Sequence, residues 1–181
     1  MNSHHLILGK MKDFLTGSEI EDNHDERYRQ KIAKILITEK GYKKNEIKKN
    51  LTIELPDNDK KFYIPVDYTI YIDKKPLMII KYGPGSIITR EKPAIACARL
   101  INEFEVPISV VTNGEDAEII ETATGKIISK GLDSIPEKNE LVEIKPLNKV
   151  TQEQASKAKM ILFAFEVNDR CPCDDSICRP E

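Results

Sequence analysis

The chain has 181 residues, 40% of them hydrophobic and 32% charged, with a net charge of −2. That length suits one domain with a proper core plus tails, and no apolar run reaches the roughly 18 residues of a membrane span. The apolar patch at residues 6–8 is too short for a signal peptide, so a cytoplasmic protein without a membrane partner is expected. With no global basic field, any nucleic-acid site must be a local patch.

Residues 1–24 read as an extended arm with one helical turn around residues 10–15. A helix is predicted from Asp25, with Tyr28, Ile32, Ile35 and Leu36 at helical spacing and Gly41 as its punctuation. "LTIEL" and "FYIPVDYTIYI" read as strands on either side of the turn "PDNDKK". "PLMII" is a short continuous apolar run, as in a strand covered on both faces, and it closes on Lys81 before a Gly83-Pro84-Gly85 breaker. Thr89 is placed to cap a helix through "REKPAIACARLINEFE", with Pro93 near the first turn, where proline costs least. "PISVVTNG" and "AEIIETATGKIIS" add two strands, a charged linker covers residues 133–150, and "VTQEQASKAKMILFAFE" is an amphipathic helix over 151–168. The order predicts an α/β sandwich on a mixed sheet, with a cysteine-containing tail at 169–181.

"DERYRQKIAKILITEKGY", a hairpin containing Asp67, a strand closing on Lys81, a helix and then "ISVVTNGEDAEII" resemble the N-terminal nuclease-like domain of type I restriction enzyme R subunits, of the PD-(D/E)xK superfamily. The resemblance covers about residues 25–132 and implies a restriction-endonuclease-like αβββαβ core, a mixed sheet flanked by helices. In that superfamily an aspartate and a glutamate hold Mg²⁺, and a lysine two positions after the glutamate activates water and offsets phosphate charge. Carried over, the resemblance implies Glu26 on the first helix, Asp67 on the hairpin and Lys81 as catalytic residues, with Glu26 and Asp67 as Mg²⁺ ligands. The middle acid is missing, because Ile79 stands two residues before Lys81; Glu91 is the candidate for a carboxylate migrated to the next helix. Asp67 and Lys81 can share a face only if the hairpin has the right parity, which a three-residue loop at Asp73, Lys74 and Lys75 would give. Read without the resemblance, Asp67 is a strand carboxylate bonded to a backbone amide, Lys81 a lysine reaching for water and Glu26 a first-turn acid favoured by the helix dipole.

Lys43, Lys44, Lys48, Lys49 and Arg90 form the best phosphate-contacting patch if they lie beside the cleft, and otherwise are solvated side chains. In the tail, Cys171, Cys173 and Cys178 are close enough to wrap Zn²⁺ or an iron–sulfur cluster given a fourth ligand, for which Cys97 is a candidate; free thiols and a buried Cys97 are the other reading. No GxxxxGK[ST] loop is present, so a stand-alone domain without a motor is expected. Two functions follow: a nucleic-acid-binding protein, with DNA favoured over RNA, that keeps the fold without cutting, or a Mg²⁺-dependent endonuclease with a migrated acid. A protein partner and a homodimer are compatible with either.

Overall fold

A computed structural model of the chain describes residues 7–57, 60–144 and 148–167. The chain opens with a small hairpin, β1 (Gly9–Lys12) and β2 (Glu19–Asp22), followed by α1 (His24–Thr38). Three antiparallel strands come next: β3 (Ile47–Asp57), β4 (Lys60–Ile72) and β5 (Lys75–Tyr82). After α2 (Glu91–Leu100), β6 (Ile108–Thr112) pairs parallel to β5, and β7 (Ala117–Glu121) and β8 (Lys126–Lys130) extend the sheet antiparallel. The short α3 (Lys138–Val142) leads to α4 (Gln152–Leu162), whose last turns widen into a π-helix at Phe163–Val167. The six-stranded sheet therefore runs β3-β4-β5-β6-β7-β8, mixed and flanked by helices as predicted.

The parallel β5–β6 pair requires a crossover, and α2 supplies it. β5 and β6 are buried along nearly their whole length, which is why both read as continuous apolar runs. One face of the sheet, with Tyr68, Ile70, Met78, Ile80, Val110 and Ile119, packs on Ile32, Ala33 and Leu36 of α1. The other face, with Ile53, Leu55, Ile64, Val66 and Ile79, packs on Ala96, Cys97 and Ala98 of α2 and on Ala158 and Leu162 of α4. Each such fully buried aliphatic side chain contributes about 1.5–3 kcal/mol. α1 starts at Asn23, whose side chain accepts the Glu26 N–H at 2.8 Å and satisfies one orphan donor of the first turn.

β4 changes faces along its length. Ile64 and Val66 belong to the α2 and α4 side, whereas Tyr68, Ile70 and Ile72 belong to the α1 side. The crossing falls at Asp67, flanked by the pairs Leu51↔Val66 and Lys49↔Tyr68, where Asn50 takes a left-handed φ of +55°.

Several expectations are corrected. The arm is a β-hairpin: a side-chain turn on Asp13 replaces the helical turn, its carboxylate accepting the Leu15 and Thr16 N–H groups. "AEIIETATGKIIS" is two strands, β7 and β8, split by a turn at Thr124 and Gly125. Part of the linker is helical, and Thr89 caps nothing because a 3₁₀ turn at Ile88–Arg90 leads into α2 without a side-chain cap. The β4–β5 loop has two residues, Asp73 and Lys74, both at positive φ (+48° and +65°) as a tight hairpin turn requires. Leu77 then stands unpaired as a bulge, and the register beyond it regains the parity the site needs: Ile70↔Met78, Thr69↔Ile79, Tyr68↔Ile80. No helix among the described residues is long and apolar enough to cross a membrane.

Candidate functional site

One step past Tyr68↔Ile80, the β4–β5 register sets Asp67 opposite Lys81. Backbone pairing stops there and side chains take over. The Asp67 carboxylate accepts the Tyr82 backbone N–H at 2.7 Å, and Lys81 donates to the Pro65 carbonyl at 3.0 Å. The two side chains then turn to opposite layers. Asp67 binds Arg29 Nε of α1 at 2.6 Å, while Lys81 Nζ lies 2.9 Å from Glu166 in the turns that follow α4. Asp67 thus does bond a backbone amide, as its plainer reading supposed.

Around Asp67 lies a cleft of about 540 Å³ lined by Glu26, Arg29, Asn50, Thr52, Tyr63, Pro65 and Asp67. Helical spacing puts Arg29 one turn after Glu26, and its guanidinium stands between the two acids, 2.6 Å from Asp67 and 3.8 Å from Glu26. It also covers the Tyr82 ring, 4.8 Å from the centroid. The other Glu26 oxygen receives Lys49 Nζ at 2.8 Å and Gln30 Nε2 at 2.7 Å. Lys49 in turn reaches Asp13 of the N-terminal hairpin at 2.5 Å, and Gln30 reaches the same Asp13 oxygen at 3.0 Å. Lys49 is therefore engaged in ion pairs and not presented to a phosphate.

The cleft carboxylates already face cations of the chain itself. Mg²⁺ demands about six oxygens in near-octahedral order. Two neutralised carboxylates, with an isoleucine where the third would stand, are a donor set that does not fit it. Among the described residues no group of three or more His, Cys, Asp or Glu side chains is set to hold a metal. Ile79 is fully buried under α2 and α4. Glu91 faces Glu118 and Lys130, and burial together with Glu118 raises its carboxyl above the usual value; it does not line the cleft.

On the far side, Lys81 is almost fully enclosed. Burial alone would lower its ammonium's pKa, but the adjoining Cys97, Glu166 and Asp67 hold it above the ordinary lysine value. Cys97 lies beside it, fully buried, its thiol pushed up to about 12 by burial. Such a thiol is neutral and packs as a small apolar group. Cys171, Cys173 and Cys178 lie outside the described residues.

The remaining basic candidates separate. Lys43, Lys44 and Lys48 are exposed near the start of β3, with Lys44 donating to the Phe14 carbonyl at 2.5 Å and covering its ring. Lys48 joins Lys74 at the rim of a hollow shared with Tyr71. Arg90 is elsewhere, laid over Gly83 and donating to the Pro84 carbonyl at 3.1 Å. The Gly83-Pro84-Gly85 loop itself lines a second hollow of about 330 Å³ with Tyr28, Tyr82 and Asn113. Asn113 of the "TNG" turn donates to the Gly85 carbonyl, and Tyr28 stacks on Tyr82 with centroids 6.1 Å apart.

The family model for the type I restriction enzyme R protein N terminus matches residues 24–136, from the first residue of α1 to just past β8. The chain belongs to that family. The family gives it a nuclease-like, nucleic-acid-related domain and a nucleic acid or a protein subunit as partner. No curated protein and no solved structure matches the chain. Neither Asp13 nor Glu166, each paired to a basic residue of the domain, lies within the family's span.

Spacing along the chain could have flagged Arg29, one turn from Glu26. No sequence signal points to Asp13 or Glu166, whose pairings join residues far apart in the chain.

Asp13 gives a pH signature. Burial would raise its carboxyl, but Lys49, the Thr16 N–H and Gln30 hold it well below its ordinary 3.8. A depressed folded-state pKa gives stability that is complete above the unfolded value and is lost as pH falls towards the folded one. Urea midpoints are therefore expected to drop steeply below about pH 4, and Asp13→Asn is expected to flatten that acid limb while lowering the midpoint at neutral pH.

Proposed function

We propose that the protein binds DNA through its nuclease-like fold without cleaving it. The observation that carries this reading is the position of Lys81. On the PD-(D/E)xK interpretation of the family, this lysine would activate water beside a metal-bound carboxylate. Here it is buried between Glu166 and the Pro65 carbonyl, and the position two residues before it is Ile79. Arg29 occupies the space between Glu26 and Asp67 where a metal would be needed. Recognition then rests on the phosphate backbone, and the exposed Lys43, Lys44 and Lys48 are the residues suited to contact it. The reading puts the protein in the cytoplasm with its DNA.

The test combines cleavage and binding. Labelled single- and double-stranded DNA incubated with Mg²⁺ or Mn²⁺ is expected to stay intact. Fluorescence anisotropy is expected to show binding that weakens with salt. The Lys43→Gln, Lys44→Gln, Lys48→Gln triple variant is expected to weaken it further and to flatten the slope of log affinity against log salt by up to about 3. Metal-dependent cutting that disappears in Lys81→Ala would instead establish an active nuclease, and absence of any salt-sensitive binding would remove DNA as the ligand.

A further inference from the structure

A basic surface lies at the end of the sheet remote from the cleft. The pairs Ile47↔Ile70 and Ile72↔Lys75 bring the start of β3 and the β4–β5 turn to that end, where Lys48, Lys74 and Lys75 are all exposed. Lys48 and Lys74 rim a hollow of about 490 Å³ beside Tyr71. Lys74 and Lys75 rim another, of about 380 Å³, lined by Pro76, Leu77 and Phe104. None of these three ammonium groups is taken up by an ion pair or hydrogen bond among the described residues. The glutamates beside them are engaged elsewhere: Glu46 accepts from Lys138 at 2.6 Å, and Glu103 lies 3.3 Å from Lys149. Of the residues lining the two hollows, Asp73 alone is left to oppose the three lysines.

Two further observations point to a ligand. Lys74 holds a left-handed φ of +65° at the second position of a two-residue hairpin turn, where glycine would carry no strain. A lysine at such a position is a local exception of the kind found where the side chain is used. Phe104 is 43% exposed yet fixed in place, its N–H donating to Asn102 Oδ1 at 3.2 Å and its backbone bridging to Lys149. An open, anchored ring beside lysines is a stacking platform for a nucleobase, since every base has a π face.

We infer, resting on the DNA-binding reading above, that the ligand is single-stranded DNA, with an unpaired base stacked on Phe104 and phosphates on Lys74 and Lys75. The strand continues over Lys48 towards Lys43 and Lys44. A duplex keeps its bases stacked on one another and offers none to the ring, so it would meet the lysines alone. Asn102, in the same hollow, has an amide nitrogen to donate to a base edge. The site is at the opposite end of β5 from Lys81, about 20 Å along the strand. A strand held there needs nothing from the Asp67 cleft.

Fluorescence anisotropy on the full chain tests this, with a labelled unstructured DNA strand, its duplex and the RNA of the same sequence. The single DNA strand is expected to bind about tenfold more tightly than either. Phe104→Ala is expected to weaken single-strand binding about tenfold, the usual loss for one stacked base, and to leave duplex binding unchanged. Lys74→Gly/Lys75→Gln is expected to melt no lower than the unaltered protein, because glycine relieves the turn. It should nonetheless flatten the slope of log affinity against log salt by about 1.4. Should Phe104→Ala not fold, Phe104→Leu replaces it, keeping apolar volume without a ring face. Tighter binding of the duplex or the RNA overturns the inference, as does single-strand affinity that ignores Phe104, Lys74 and Lys75. In that last case salt-sensitive binding lost only in the Lys43, Lys44 and Lys48 triple variant leaves the DNA-binding reading standing. Absence of binding to any of the three probes removes both.

Discussion

Asp67→Ala is expected to lower stability by about 3–5 kcal/mol, the range for breaking a buried ion pair by removing one partner. The carboxylate is 9% exposed and does two tasks at once. It completes the β4–β5 ladder where backbone pairing ends, by accepting the Tyr82 N–H. It also neutralises Arg29, which reaches the sheet from α1. Alanine leaves a buried backbone donor without an acceptor, at about 1–3 kcal/mol, and takes from Arg29 its closest carboxylate, leaving the more distant Glu26 and the Tyr82 ring. Asp67→Asn keeps an acceptor for the amide and loses only the charge, so it should fall about midway. Urea denaturation of both variants checks this, and a cost under about 1 kcal/mol for alanine would show the contact is not maintained in solution. Removing Arg29 as well, in Asp67→Ala/Arg29→Met, should cost less than the two single changes together, because the unpaired guanidinium is gone.

The second large effect is expected at Gly114. Its φ of +87° lies in the left-handed region, and a Cβ built there would come within 3.0 Å of three atoms of the Tyr28 side chain. Tyr28 has little room to retreat, since its ring stacks on Tyr82 and its hydroxyl donates to Glu115. Gly114→Ala combines backbone strain of about 1–2 kcal/mol with overpacking of about 1–3 kcal/mol. The sum, about 2–5 kcal/mol, should show as a fall in melting temperature of about 4–20 degrees in a chain this size. Gly125→Ala is the matched control: φ is +70°, but the added Cβ meets only Ile95 at an ordinary 3.6 Å. It should carry the backbone part alone. Equal losses at the two glycines would show that the Tyr28 ring is free to move.

How far the sequence could be read depended on the range of the forces involved. The buried β5 run, the face of α1 and the α2 crossover were legible because apolar patterning within a segment fixes each of them. The β1–β2 hairpin was not. Only Met11 and Ile20 face each other across it among polar residues, so there is no alternation to detect. The β4–β5 register illustrates a compensated error: the loop is one residue shorter than expected, and the Leu77 bulge returns that residue to the count. Turn chemistry at "DKK" does not distinguish these two solutions, whereas the need to bury Ile79 and Ile80 on opposite layers does. At the site, Glu26, Asp67 and Lys81 were identified as positions, but their partners were not. Arg29, Lys49 and Glu166 are ordinary charged residues until the fold brings each against an opposite charge.

The face change of β4 at Asp67 has a mechanical reading. A strand that belongs to one layer before this residue and to the other after it ties α1, through Arg29 and Asp67, to the end of β5, where Lys81 meets Glu166. The two helical layers of the sandwich thus each anchor a charged side chain on neighbouring strands at this crossing, Arg29 on Asp67 and Glu166 on Lys81. A ligand that drew Arg29 away from Asp67 in the cleft would disturb the carboxylate that holds the Tyr82 amide, one residue from the lysine paired to Glu166.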